Sequence, residues 1–171
     1  ADTVAGGQGD DLISLGVAEK GATADGDADI LVLTNGFGND SIEGFEIPKL
    51  EAGGTYTSVD KVDVSGLTDG SGNPVDVDDV VVTDTIGDGT GDAILQFPSG
   101  DSITLWGVDP KEVSSDEQLM AMGIPGKAGQ LSIYDAIRTN APFADGNTLT
   151  TADDDLVRID DPISFDVASL S

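Results

Sequence analysis

The stretch that decides the expected fold is Gly6-Gly7-Gln8-Gly9-Asp10-Asp11-Leu12-Ile13-Ser14. It matches in full the nonapeptide pattern G-G-x-G-x-D-x-U-x, in which U is a large apolar residue. The glycines of this pattern allow a sharp turn with inward-pointing carbonyl groups, and the Asp adds a charged oxygen. The apolar residue begins a short strand that packs inside. The stretch therefore predicts a coil of turns and strands that closes around Ca²⁺.

A near copy of the nonapeptide follows as Asn35-Gly36-Phe37-Gly38-Asn39-Asp40-Ser41-Ile42-Glu43. Only the first glycine is replaced, and Asn is the next most tolerant residue in left-handed backbone. The alternative is a pair of unrelated surface turns, which a chain rich in Gly and Asp forms often. Two matches in one short region favour a calcium-binding repeat over that alternative.

The spacing of the aspartates predicts which of them share a site. Two nonapeptides should make one full turn of the coil, which would stack Asp11 beside Asp29. The repeat between them is degenerate, because Lys20 occupies its Asp position and would repel a cation. We therefore expect one well-formed site between the 7–11 turn and the 25–29 turn, with Asp10 pointing outward.

The candidate metal ligands follow from this register. In the first and third repeats they are Gly7, Gly9, Asp11, Asp25, Asp27 and Asp29. In the near copy they are Asn35, Gly38 and Asp40.

Composition limits the chemistry that this chain can perform. It has 33 acidic and 7 basic residues, a net charge of −26, which excludes nucleic acid as a partner and argues against anionic membranes. Such charge opposes compaction unless cations neutralise it. The absence of Cys and His removes disulfides, thiol nucleophiles, Ser-His-Asp triads and most transition-metal sites. Oxygen ligands remain, and these favour Ca²⁺ or Mg²⁺. No apolar run is long enough for a transmembrane helix.

The sequence after residue 45 predicts further strands and one or two short helices. Strand-forming residues at 93–97 and 102–106 flank a Pro/Gly turn, which is typical of a hairpin. Ser114-Ser115-Asp116-Glu117 predicts a capping box that opens a short helix closed by Gly123. A second helix is expected from Ser132 to Thr139. The Gly- and Asp-rich segments 69–73 and 87–92 are interpreted as ordinary turns rather than calcium loops.

Three segments together resemble the C-terminal part of RTX (hemolysin-type calcium-binding) proteins, in particular serralysin-type C-terminal domains. Residues 37–45 resemble the F-G-x-D-x-I-x-x-F end of such repeat arrays. Residues 60–65 resemble the D-K-I-D-L-S strand that follows, and residues 100–105 resemble the late G-D-S-I-T-L strand. The resemblance covers roughly residues 5 to 123. An insertion at about 47–58 and the unmatched segment 126–171 depart from it.

The resemblance implies a parallel β-roll with calcium in its turns, a β-rich cap, and export through a type I secretion system to the outside of the cell. A second, weaker site is expected where the repeats meet the cap, in which Glu46 and Asp60 reach back to Asp40, and the resemblance supports Asp60 in this role. The alternative for Asp60 is a charge at the start of a strand, facing water.

The sequence thus predicts a mainly β fold, with a short parallel β-roll over 1–45, a β-rich, sandwich-like cap over 46–125 and a C-terminal extension over 126–171. This extension is compatible with a type I secretion signal. We expect a secreted, calcium-binding module that aids folding and export and is not itself an enzyme. The alternatives are a calcium-dependent adhesion, surface-layer or glycan-binding module, and a part of a secreted hydrolase.

Overall fold

The computed structural model describes residues 1–16 and 25–127 of the chain. This part is mainly β, as expected, and contains one short α-helix. Its strands are β1 (Thr3–Val4), β2 (Leu12–Ser14), β3 (Ile30–Thr34), β4 (Asn39–Glu43), β5 (Lys49–Leu50), β6 (Tyr56–Thr57), β7 (Lys61–Gly66), β8 (Val81–Asp84), β9 (Ala93–Gln96) and β10 (Ser102–Leu105). The helix α1 spans Asp116–Ala121.

The first four strands alternate between two sheets. Strands β1, β3 and β7 form a three-stranded sheet in which every pairing is parallel. Strands β2 and β4 begin a five-stranded sheet of order β2-β4-β10-β9-β8, parallel as far as β10 and antiparallel beyond it. Each of these two sheets therefore combines strands from the repeat-bearing residues 1–45 with strands from residues 46–125, whereas β5 and β6 form a separate antiparallel pair.

The paired residues of the parallel strands lie further apart in the sequence than the two nonapeptides expected for one turn. Thr3 pairs with Ile30, and Leu12 pairs with Ser41. The number of residues between the two members of each pair is closer to three nonapeptides than to two. The expected stacking of Asp11 on Asp29 is therefore wrong. In the sequence, both separations include the degenerate repeat that follows the first nonapeptide.

Alternate residues of the strands build one apolar core. The inward positions of β3 and β7 carry Leu and Val, and those of β4 and β10 carry Ile and Leu. This period of two is the pattern of a sheet with one buried face. The fully buried members include Leu31, Leu33, Ile42, Val62, Leu95, Ile103 and Leu105. The sheets therefore meet over a continuous core that holds the strand ends, and the turns beside them, in place.

The outer edges of the two sheets differ in what covers them. The expected hairpin is confirmed, because β9 pairs with β10 in antiparallel register and so covers the outer edge of β10. The outer edge of β7 is covered by the segment after α1, where the Val62 N–H donates to the Met122 carbonyl at 2.6 Å. Strands β1 and β2 lie at the opposite, outer edges of their sheets.

The predicted helix start is confirmed at α1. Ser115 is its N-cap, its hydroxyl accepts from the Gln118 N–H, and the Gln118 side chain accepts from the Ser115 N–H. Gly123, in left-handed backbone at φ 103°, follows the helix as expected. The second expected helix, residues 132–139, lies outside the described residues. In the part of the chain that is described, no helix is long and apolar enough to cross a membrane.

Candidate metal centre

The two nonapeptides stack directly on each other. The left-handed glycines of the first turn, Gly7 and Gly9, correspond to Gly36 and Gly38 of the second, which have the same sign of φ. A Cβ added at Gly38 would collide with the carbonyl oxygen of Gly9. Glycine is therefore required at position 38 for two reasons, its left-handed backbone conformation and the close approach of the two turns.

Asp11 and Asp40, which end these turns, form a contact between the two nonapeptides. The Asp11 N–H donates to Asp40 Oδ1 at 2.9 Å. Asp40 is 1% exposed, and Asp11 is half-buried. Asp40 Oδ2 and Asp11 Oδ2 are buried and have no hydrogen-bond partner. We call Asp11 and Asp40 the first acidic cluster.

The first glycine of the repeat is needed for space rather than for a left-handed turn. A Cβ at Gly6 would lie 2.8 Å from Asp11 Oδ2, and Gly6 is not among the left-handed glycines. At the equivalent position Asn35 bonds across to Thr68, whose N–H donates to Asn35 Oδ1 at 3.1 Å. The Asn35 side chain thus serves a turn–turn contact, and any role in binding a cation falls to its backbone carbonyl.

This close approach gives a first testable consequence. We expect Gly6→Ala to displace the Asp11 carboxylate and to lower the free energy of unfolding by about 1 kcal/mol, the low end of the cost of overpacking, because Gly6 is exposed but its Cβ would also lie 3.1 Å from Asp11 Cβ and Ile13 Cδ1. Gly70→Ala is the matched control, because a Cβ there meets no atom within 4 Å and Gly70 is not left-handed. Urea unfolding of both variants measures the difference, and equal effects would contradict the packing described for Gly6.

A second acidic cluster lies at the start of the other sheet and comprises Asp29, Glu46 and Asp60. Asp60 is fully buried, and its two carboxylate oxygens accept the N–H groups of Asp29 at 3.0 Å and of Glu46 at 2.7 Å. Asp29 and Glu46 are 5% and 8% exposed. Glu46 Oε2 is buried without a hydrogen-bond partner. Asp29 Oδ1 in turn accepts the Asp2 N–H at 2.5 Å and lies 3.8 Å from the amino group of Ala1.

Burial and like charges perturb the ionisation of the most deeply buried members. Burial raises the pKa of Asp60, and the Asp29 and Glu46 carboxylates raise it further, although two N–H donors oppose the shift. Burial likewise raises the pKa of Asp40, with additional repulsion from Asp11, Asp10 and Asp101. Both clusters therefore concentrate negative charge where water cannot screen it.

The structure regroups the residues that the sequence placed together. Asp11 and Asp29 begin strands of different sheets, so the predicted shared site of these two residues is wrong. Asp40 joins Asp11, whereas Glu46 and Asp60 join Asp29. The reason is the register of the parallel strand pairs, which stacks Asp11 on Asp40 and Asp29 on Asp60.

Three further expectations change with this register. Asp60 does not face water, because it is fully buried. Asp10 is exposed, but its Oδ1 accepts the Asn39 N–H at 2.8 Å, so it links the two turns rather than pointing away. Asp25 and Asp27 are exposed in the turn before β3, where the Asp27 N–H donates to Asp25 at 2.9 Å.

Two residues near the clusters had no role in the sequence argument. Asp2 immediately precedes β1, just as Asp29 and Asp60 immediately precede β3 and β7. Its Asp-x-Val spacing is the sequence pattern that could have predicted this position. Asp101 accepts hydrogen bonds from the second nonapeptide turn. Its contribution depends on a contact between segments far apart in the chain, which no local pattern reveals.

Side chains by themselves do not complete a metal site in this geometry. Among residues 1–16 and 25–127, no group of three or more acidic side chains is arranged to hold a metal ion. A cation at either cluster would need backbone carbonyl oxygens as additional ligands, which glycine-rich turns supply. The carbonyl oxygen of Gly38 is already occupied by a hydrogen bond, because it accepts the Ser102 N–H at 2.9 Å.

Comparison of the chain with family models, with curated proteins and with solved structures found no match.

Proposed function

We propose that this chain is a calcium-binding module of the RTX type, built on a short parallel β-roll, which folds and is exported with the help of Ca²⁺ and is not itself catalytic. The observation that carries the proposal is the set of buried carboxylate oxygens without hydrogen-bond partners, Asp11 Oδ2, Asp40 Oδ2 and Glu46 Oε2. A buried carboxylate needs a counter-charge or a proton, because isolated burial of its charge is costly. A divalent cation supplies that charge at both clusters.

The first acidic cluster suits a hard cation held between two turns. Asp11 and Asp40 each offer one free buried oxygen, and the glycine-rich turns before them bring backbone carbonyls close by. Carboxylate and carbonyl oxygens are the ligands that Ca²⁺ takes, in flexible geometry. Gly6 leaves room for the Asp11 carboxylate. These features support Gly7, Gly9, Asp11 and Asp40 as the source of ligands at this position, whereas the carbonyl of Gly38, expected from the sequence to be a ligand, is occupied by the Ser102 N–H.

The second acidic cluster suits a cation that joins the coil to the residues after it. Asp29 comes from the connection before β3, and Glu46 and Asp60 come from the segment that links β4 to β7. All three residues are deeply buried, and Glu46 retains a free oxygen. Ca²⁺ here would fix the connection that carries the chain from the repeats into the remaining strands. A chain that folds only once it meets calcium is suited to export, since it stays unfolded until then.

The proposal predicts that calcium stabilises the protein. Extracellular modules bind Ca²⁺ with Kd of about 0.1–1 mM, so at ~10 mM Ca²⁺ linkage gives roughly 1.4–2.7 kcal/mol for each occupied site. We expect the melting temperature to rise with calcium and to fall again when a chelator is added. Calorimetric titration of chelator-treated protein measures the affinity.

Magnesium at equal concentration is the control for ionic strength and charge screening. Mg²⁺ demands near-octahedral geometry and gives up its water reluctantly, so we expect it to stabilise the protein less than Ca²⁺ does. If the melting temperature and the circular dichroism are the same with chelator as with calcium, the proposed function is wrong.

A further inference from the structure

Asp101 lies in the turn before β10, on the side of β4 that faces away from β2. Its Oδ2 accepts the Gly36 N–H at 2.8 Å, and its Oδ1 accepts the Gly38 N–H at 3.2 Å. One carboxylate thus holds alternate N–H groups of the second nonapeptide turn. Backbone N–H groups that converge in this way form a concave anion site, and Asp101 occupies it from within the protein.

The direction of these N–H groups fixes the direction of two carbonyl groups. In a planar trans peptide the N–H and the preceding C=O point in opposite directions. The N–H groups of Gly36 and Gly38 point towards Asp101, so the carbonyls of Asn35 and Phe37 point the other way. Since the sheet order is β2-β4-β10, the other way is towards the first nonapeptide turn.

Within the described residues, no hydrogen bond ends on the carbonyl oxygen of either Asn35 or Phe37. Both oxygens therefore remain available on the side of the second turn that faces β2 and the first turn, which ends at Asp11. Carbonyl oxygens complete the ligand sets of calcium sites that have too few carboxylates.

We propose that Asp101 is a positioning residue for the first calcium site, which holds the second turn so that the Asn35 and Phe37 carbonyls face the cation. The proposal rests on the proposed function and adds to it a residue outside the repeats. Asp101 would not touch the ion and would act only through the backbone that it orients.

The surroundings of Asp101 favour its charged form. Burial alone would raise its pKa, but the Ser99 side chain and the N–H groups of Gly36 and Gly38 hold the pKa below its usual value. The carboxylate is thus matched to N–H donors. An amide in its place would bring its own N–H₂ group against one of them.

The test compares two substitutions at one position. Asp101→Asn removes the charge and mismatches one donor, whereas Asp101→Glu keeps the charge but moves the carboxylate away from the two N–H groups. We expect each to weaken calcium binding by about 10-fold, as loss of an outer-shell partner typically does. The probe is Ca²⁺ titrated by calorimetry into chelator-treated protein, with the melting temperature recorded in chelator and in calcium.

Asp84→Asn is the matched control. Asp84 also accepts several backbone N–H groups in a turn, those of Ile86, Gly87 and Gly89, but it lies on β8 at the far edge of the same sheet. We expect it to lower the melting temperature equally in chelator and in calcium and to leave the calcium affinity unchanged.

The outcomes separate the possibilities. If Asp101→Glu binds calcium like the wild type and only Asp101→Asn is weakened, Asp101 acts as a long-range charge and the positioning role is wrong. Wild-type affinity in both variants also overturns it. If the wild type itself does not bind Ca²⁺, the proposed function fails first. Should Asp101→Asn not fold, Ser99→Ala, which removes the hydroxyl that accepts the Asp101 N–H at 3.4 Å, must show a smaller loss in the same direction.

Discussion

Asp60→Ala is expected to destabilise the calcium-loaded protein by at least ~3 kcal/mol, more than any other single carboxylate change, because two buried N–H groups lose their acceptor at once. Asp60 is fully buried, and its two oxygens bond the N–H groups of Asp29 and Glu46. An unsatisfied buried donor costs roughly 1–3 kcal/mol. The proposed calcium contribution at this cluster would be lost as well. Urea unfolding in ~10 mM Ca²⁺, above the Kd of about 0.1–1 mM expected for such sites, measures the total.

The destabilisation caused by Asp60→Ala should be smaller when calcium is absent. In chelator the substitution also relieves the repulsion among Asp29, Glu46 and Asp60, which offsets part of the lost hydrogen bonding. Asp63→Ala is the matched control on the same strand, because the Asp63 carboxylate is only half-buried and accepts the nearby Ser65 N–H at 2.9 Å. A loss from Asp63→Ala as large as that from Asp60→Ala would contradict the role assigned to the second cluster.

The second large effect concerns pH. In chelator, we expect the protein to become more stable as the pH falls from neutral towards about 4, the reverse of ordinary acid denaturation. The cause is the raised pKa of Asp40 and Asp60 in the folded state, first through burial and then through neighbouring carboxylates. Protonation removes a buried charge from each cluster.

The sign follows from proton binding in the two states. Asp40 and Asp60 take up protons in the folded protein at a higher pH than in the unfolded chain, where their pKa is near 3.8. Stability is therefore gained as the pH falls through the folded-state pKa values, and the gain is complete below 3.8. Asp84 and Asp101, whose pKa values are lowered, lose their contributions only as the pH falls below 3.8 towards their folded-state values. A maximum in mildly acidic solution results.

Melting temperatures from pH 7 to pH 4, with and without calcium, test this expectation. Calcium should reverse the slope, since protons then compete with the cation for the same oxygens. Asp40→Asn and Asp60→Asn should each flatten the rise in chelator, because each removes one of the titrating groups. A steady loss of stability from pH 7 downwards in metal-free protein would show that the buried carboxylates do not govern the pH dependence.

Local patterns were sufficient to predict the kinds of element in this chain. The Pro/Gly turn between two β-forming runs predicted the β9–β10 hairpin, and the capping box in Ser114-Ser115-Asp116-Glu117 predicted the start of α1, where the structure pairs Ser115 with Gln118. The left-handed glycines of both nonapeptides follow from the repeat itself. Each of these depends on contacts within a few residues, where propensity and turn chemistry act directly.

The partners of each carboxylate were decided by the tertiary structure alone. Local sequence puts an Asp at the start of a strand, but the lengths of the connections from β2 to β3 and from β4 to β7 select which aspartates stack. The free energy of closing a loop changes only slowly with its length. A sequence pattern therefore does not indicate which pairs of aspartates will stack. For the same reason Asp101 reaches the second turn only because the hairpin packs β10 beside β4.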